Sequence, residues 1–286
     1  MTVSRADVAF TSRGATLRGW LYRPERAESA PGVVMTHGFT AVKEMFLDEY
    51  ATAFAAAGLV TLVYDHYGFG TSGGEPRQYP AASIQLDGYR DAISWLGSQP
   101  GVSADRIGIW GTSNSGGHVI VLAAENLPIR CAVAQVPGLG EGGPGVSPAT
   151  AAAIATALDA GRLGDVIPAV SATKAGLGIM FEDGAYEWFT RAASERAPTW
   201  RDEVRVGALT DGVRPIDHLG RARIPLLLVI APLDRLTPPG PAVRLAASLP
   251  AVEIVELRGS HFDAYEAEFA ASSQAAIAWF RRFLTS

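Results

Sequence analysis

Cysteine is almost absent from this sequence: Cys131 is the only one among 286 residues. An internal disulfide and a cysteine-based metal cluster are therefore excluded, and a reducing compartment is expected. No apolar run approaches the roughly 18 residues that suggest a membrane span. The Ala-rich stretch 149–158 comes nearest, and alanine is only weakly hydrophobic. The opening residues, MTVSRADVAFTSRGATLRGW, lack the apolar core of a secretory signal. Basic runs are lacking too. With 24 Lys and Arg against 29 Asp and Glu, the formal charge is -5, which gives no electrostatic case for nucleic acid or an anionic membrane. The five histidines show no H-x-x-x-H or H-E-x-x-H spacing. Gly68-Phe-Gly70-Thr-Ser-Gly73 has the G-x-G-x-x-G spacing, but it runs into a glycine- and proline-rich loop up to Pro80 and does not open a helix, so it does not read as a dinucleotide site. The expectation is a cytoplasmic protein with no metal and no cofactor.

Apolar residues make up 48% of the chain, ample for a sheet buried on both faces. Residues 7–23 alternate and turn at Arg13-Gly14, which predicts an antiparallel hairpin. Short apolar runs of the buried-strand type follow at 33–36, 59–64, 106–110, 129–136, 226–231 and 252–257. Between them lie stretches of helical spacing, near 43–57, 81–96, 114–125 and 264–284. This alternation predicts the α/β class: a mostly parallel, twisted sheet of about eight strands flanked by helices. After a Gly- and Pro-rich start at 137–145, the chain to residue 223 is Ala-rich without a buried-strand signal. It reads as a helical cap, 137–223, inserted after the sixth core strand, with 1–136 and 224–286 forming the core.

The strongest chemical signal is Arg106-Ile-Gly-Ile-Trp-Gly-Thr-Ser113-Asn-Ser115-Gly-Gly117. A nucleophilic serine needs an exposed hydroxyl on a sharp strand-to-helix turn, where only small neighbours fit. Ser113 suits that place, with Ser115 as its rival. Thr36-His37-Gly38-Phe39-Thr40 follows an early strand, so the backbone N–H groups of Phe39 and Asn114 can form an oxyanion hole, each donor being worth about 3 kcal/mol of barrier. His261, directly after the last strand, is placed to be the base. Asp234, after the strand at 226–231, is placed to be its acid, with Asp263 and Glu141 as alternatives. His37 and Asp65 read as loop braces, and Cys131 as a small core residue. Trp188, Phe189 and Trp200 either wall an acyl pocket or form the core of the insertion, while His66 and Tyr67 follow a strand near the site mouth.

HGFTAVKE, the D-x-x-G-F-G-x-S-x-G loop, RIGIWGTSNSGGHV, APTWRDEV and GSHFDAYE together resemble the α/β-hydrolase superfamily. The group they resemble is that of the dienelactone-hydrolase-like enzymes, which includes the polyketide transferases. The resemblance runs from about residue 16 to the C-terminus and implies the same Ser-Asp-His set, with the cap covering the substrate. Three departures stand out. Dienelactone hydrolases use cysteine where this chain has Ser113, an aromatic residue is usual where Asn114 stands, and arginine is usual where His66-Tyr67 stand. The expected activity is cleavage of an ester, thioester or lactone of a small-molecule acyl substrate, in a protein that can be a homodimer. The competing expectations are an acyltransferase of natural-product biosynthesis and a non-catalytic ligand-binding protein.

Overall fold

Two residues of positive φ, Arg13 (49°) and Gly14 (76°), make the turn that starts the fold. Consecutive positive φ values match the right-handed twist of the flanking strands, so β1 (Val3–Ser12) and β2 (Ala15–Pro24) pair antiparallel from Ser12 opposite Ala15. The computed structural model describes residues 2–25 and 29–285. The chain continues through β3 (Ala30–Thr36), α1 (Leu47–Ala56), β4 (Val60–Tyr64), α2 (Ala82–Gly97), β5 (Val102–Thr112), α3 (Asn114–Ala123) and β6 (Cys131–Gln135). After an insertion come β9 (Leu226–Ile230), α7 (Gly240–Ala246), β10 (Val252–Glu256) and α8 (Phe269–Leu284).

The eight strands form one sheet in the order β1-β2-β4-β3-β5-β6-β9-β10, antiparallel at β1/β2/β4 and parallel from β4 onward. This is the α/β architecture that the alternating pattern predicts. Every residue of β3, β4, β6 and β9 is buried, which is why these strands are continuous apolar runs and do not alternate. The core lies on both faces of the sheet. Tyr50, Phe54 and Trp110 anchor one layer, with α1 and α8; Tyr64, Tyr89 and Ile120 anchor the other, with α2 and α3. Because β3 leads to α1 on one face and the neighbouring β5 leads to α3 on the other, their carboxyl-end loops part and leave a crevice, the usual ligand position in open α/β sheets.

The segment between β6 and β9 contains α4 (Pro148–Asp159), α5 (Ala185–Glu195), a ribbon of β7 (Val166–Ile167) with β8 (Val204–Arg205), and a short α6 (Ile216–Leu219). It is less helical than its alanine content predicts. Glycines at positive φ (Gly161, Gly178 and Gly184) and Asp183 at 55° turn the chain repeatedly, which a continuous helix cannot do. Its last part returns to the sheet: Ile216 and Leu219 pack in the same apolar layer as α3. Among the described residues, no helix is long and apolar enough to cross a membrane.

One buried ion pair braces the loops at the carboxyl ends of β3 and β4. Asp65 Oδ2 lies 2.6 Å from Lys43 Nζ, and Oδ1 accepts from the Lys43 backbone N–H at 2.8 Å. Thr71 donates to the same carboxylate from its backbone at 2.9 Å. The Lys43 and Asp65 side chains are 3% and 0% exposed, so removal of Asp65 leaves a buried ammonium with only Glu44 at 3.1 Å to balance its charge. Asp65→Ala should therefore lower the unfolding free energy by about 3–5 kcal/mol, measured by urea denaturation. The double variant Lys43→Met, Asp65→Ala should recover part of that loss.

Candidate active site

Ser113 sits at φ 56°, ψ -122°, outside the regions that non-glycine residues ordinarily occupy. The turn is held from both sides. Its N–H donates to Gln135 O at 2.9 Å, and its carbonyl accepts from Gly117 at 3.1 Å and Gly138 at 2.8 Å. The small neighbours are required by close approach. A Cβ on Gly111 would strike the Ser115 carbonyl oxygen, and one on Gly117 would strike that of Gly138. Ser115 is fully buried; its Oγ donates to the His37 carbonyl and lies 2.9 Å from His66 Nε2. It ties the β3 loop to the elbow and presents no hydroxyl to a substrate.

The β3 loop approaches Ser113 closely enough that a Cβ on Gly38 would stand 2.9 Å from the serine Cβ. Only glycine allows that approach. It brings residue 39 close to Ser113, and among the described residues the Phe39 N–H has no protein acceptor. Asn114 is the first residue of α3, so its N–H has no partner within the helix. Its side chain turns away and donates to Gln85 Oε1 at 3.0 Å.

The loops after β9 and β10 bring Asp234 and His261 together. His261 Nδ1 lies 2.7 Å from Asp234 Oδ2, and the two residues are 1% and 4% exposed. Burial raises the Asp234 pKa, but the His261 charge, the His261 hydrogen bond and two bonds from Thr237 together hold it below the usual carboxylate value. An ionised carboxylate only accepts, so Nδ1 carries the proton and Nε2 is left to accept one. Thr237 was missed in the sequence. Its N–H donates to Asp234 Oδ1 at 2.6 Å, and its Oγ1 lies 2.7 Å from Asp234 Oδ2, 3.1 Å from His261 Nδ1 and 3.0 Å from Val136 O. An acceptor followed three residues later by a donor, Asp234-x-x-Thr237, is the signal that could have found it.

Ser113 and His261 face one small chamber, walled by Met45, Met180, Trp188, Phe189, Phe262 and Tyr265. Its free volume is about 20 Å³, room for about one water. Among the described residues, no hydrogen bond joins the Ser113 hydroxyl to His261; in unliganded sites such bonds often tighten only when substrate binds. A second, apolar cavity of about 300 Å³ opens outward past Pro144, Val146 and Ile179. Phe39, Ser113, Met180 and Leu236 face both spaces. Met180, Leu236, Val146 and Ile179 carried no chemical signal in the sequence.

The other residues expected near the substrate divide. Trp188 and Phe189 line the chamber, whereas Trp200 stacks behind Phe189 at 5.5 Å between ring centroids. His66, expected at the site mouth, is fully buried beneath the elbow. Tyr67 is bonded to the Glu75 backbone and packs against the apolar layer with α2. The alternative acids are engaged elsewhere: Asp263 accepts from the Ser260 N–H at 2.7 Å, and Glu141 pairs with Arg214 at 2.7 Å.

The chain is similar to several known proteins. The family profile of the X-Pro dipeptidyl-peptidases (S15 family) matches residues 13–143. The chain is 28% identical over 272 residues to the quorum-quenching protein AidA of Acinetobacter baumannii, covering 92% of this chain and 89% of that protein. It is 30% identical over 247 residues to a thiohydrolase of Eupenicillium brefeldianum, covering 82% and 79% of the two chains. The crystal structure of the α/β hydrolase GrgF from Penicillium superposes with a TM-score of 0.84 at 22% identity, over 99% of this chain and 100% of that one. This chain belongs to the α/β-hydrolase superfamily. Within this α/β-hydrolase the elbow, the β3 loop and the ends of β9 and β10 meet at the crevice where the sheet's connections part.

Beneath that crevice the α/β-hydrolase buries three histidines. His37 and His66 rings lie 4.7 Å apart, and His66 and His118 rings 6.0 Å apart. Burial lowers all three pKa values; for His66 its two histidine neighbours add to this, and His118 is lowered to about 4. The unfolded chain takes up these protons below about pH 6.5, while the folded state resists them. The stability present at pH 7 is therefore lost as pH falls from there towards about 4. Urea midpoints should drop between pH 7 and pH 5, and His118→Leu should reduce the drop. Equal midpoints in the wild type would show that the cluster takes up protons as readily folded as unfolded.

Proposed function

We propose that this α/β-hydrolase is a serine hydrolase that cleaves a carboxylic ester, thioester or lactone through an acyl-enzyme. The observation that carries the reading is the buried Asp234–His261 pair. Its histidine shares a chamber with a serine held on a strained turn, beside two backbone N–H groups without protein acceptors. His261 Nε2 takes the Ser113 proton as the serine oxygen attacks the carbonyl carbon. The resulting oxyanion accepts from Phe39 and Asn114, and Asp234 stabilises the imidazolium without itself taking the proton. The imidazolium then protonates the departing alkoxide or thiolate. Water, deprotonated by the same nitrogen, hydrolyses the acyl-serine ester and regenerates the hydroxyl. Residues 137–223 act as the cap, since Met180, Trp188 and Phe189 from that segment close the chamber. The apolar outer cavity suits an acyl chain or an apolar leaving group.

The thiohydrolase and quorum-quenching names of the relatives support ester or thioester cleavage. Other relatives are named polyketide transferases, including GrgF of Penicillium, 35% identical over 48% of this chain, so transfer of the same acyl group to an alcohol or thiol is the second reading.

Hydrolysis of p-nitrophenyl esters of increasing acyl length by wild type and Ser113→Ala tests the reading. The variant should lose about 10³-fold or more in kcat, and the preferred chain length should shorten when Val146 or Ile179 is replaced by Trp. Turnover unchanged in Ser113→Ala would remove the serine from the mechanism. Ester products formed with added alcohols, in preference to free acid, would favour transfer.

A further inference from the structure

The loop that carries the acid is short, and its backbone donors go to unusual places. The Asp234 N–H turns back to Ala231 O at 3.1 Å, and the Thr237 N–H donates to Asp234 Oδ1 at 2.6 Å. The two between them leave the loop altogether. Arg235 N–H and Leu236 N–H both donate to Oδ2 of Asp183, at 2.7 and 3.3 Å. Asp183 belongs to the inserted segment, 51 residues earlier in sequence than Asp234. Its side chain is 3% exposed although its charged partner, Arg235, is 71% exposed. The Arg235 guanidinium adds a bond to Asp183 Oδ1 at 3.1 Å and reaches Glu182 at 3.4 Å.

Asp183 itself is held at φ 55°, immediately before Gly184 caps α5. The next turn of α5 carries Trp188 and Phe189 into the chamber wall, and Leu236 faces the same chamber from the other side of the contact. One carboxylate thus joins the wall helix of the insertion to the peptide bonds on either side of Arg235, directly after the acid. A loop of four residues has few ways to satisfy its own donors, and two unpaired N–H groups would free it to rotate.

We propose that Asp183 is a positioning residue for catalysis: by accepting the Arg235 and Leu236 N–H groups it fixes the Asp234–Thr237 loop, and with it the orientation of His261. The inference rests on the serine-hydrolase reading above and makes the insertion a structural part of the catalytic set, beyond a cover over the substrate. The exposed Arg235 side chain is secondary, because the two backbone bonds survive its removal.

Three variants test this: Asp183→Ala, Asp183→Asn and Arg235→Ala, each assayed with the best p-nitrophenyl ester beside Ser113→Ala. Asp183→Ala should lower kcat about 10- to 100-fold, the scale of a misplaced catalytic group, with KM changed less than about threefold. Arg235→Ala should stay within about twofold of wild type. Asp183→Asn, which keeps one acceptor oxygen, should fall between. The proton on His261 Nδ1 gives a readout independent of turnover: its low-field resonance in the proton NMR spectrum should broaden or shift in Asp183→Ala and stay in place in Arg235→Ala. If Asp183→Ala does not fold, Asp183→Asn decides by the same two readouts. Wild-type kcat and an unmoved resonance in the Asp183 variants, with Ser113→Ala inactive, would overturn this inference while leaving the hydrolase reading intact. Full activity of Ser113→Ala would overturn the reading instead.

Discussion

The strained backbone at Ser113 is the constraint around which the rest of the molecule is arranged. A serine at φ 56°, ψ -122° costs about 1–3 kcal/mol relative to a relaxed conformation, and such strain persists only where the surroundings over-determine it. Here the surroundings are the sheet itself. Gln135 at the end of β6 and Gly138 just beyond it hold the serine peptide groups, while α3 begins one residue later. The glycines at 111, 116 and 117 follow from the same demand, since each lies where a Cβ would meet neighbouring backbone. Ser115, placed among them, uses its hydroxyl to hold the β3 loop, and with it the Phe39 N–H, against the elbow.

Electrostatics beneath and beside this turn are managed in two different ways. The three histidines below are kept neutral by burial, so they place no fixed positive charge under the Ser113 turn. At Asp234 burial pulls towards neutrality too, but the specific partners outweigh it: His261 and the two groups of Thr237 stabilise the carboxylate. Asp234 and the histidine cluster thus have opposite outcomes: the charge of His261, then its hydrogen bond and those of Thr237, outweigh burial at Asp234, whereas burial prevails at the histidines. Asp65 is a third case, a buried carboxylate paired with a lysine, and its work is to hold loops.

The inserted segment does more than lie over the crevice. It supplies Met180, Trp188 and Phe189 to the small chamber, and with Ile179 and Val146 it shapes the larger apolar cavity outside. The two spaces meet at Phe39, Ser113, Met180 and Leu236, so any molecule spanning both passes Ser113. The contrast between room for a single water within and about 300 Å³ without is a constraint on substrate shape.

By itself the sequence determined the sheet, the hairpin and the order in which serine, aspartate and histidine occur. These signals are local: continuous apolar runs between helical stretches, positive-φ residues at a two-residue turn, and small residues around Ser113, all set within a few positions along the chain. The placing of His66, Tyr67, Trp200 and Thr237 was decided only by tertiary structure. A residue after a strand can point into the crevice or beneath it, and local pattern does not say which; the His66 ring points beneath, where its Nε2 meets Ser115 Oγ, while its backbone N–H donates to His37 Nε2. Ala-rich composition suggested helix throughout the insertion, but glycines spaced along it turn the chain where neighbouring elements leave room. The link from Asp183 to the Asp234–Thr237 loop belongs wholly to the tertiary structure, because hydrogen bonds between residues 52 and 53 apart leave no periodicity for a sequence to display.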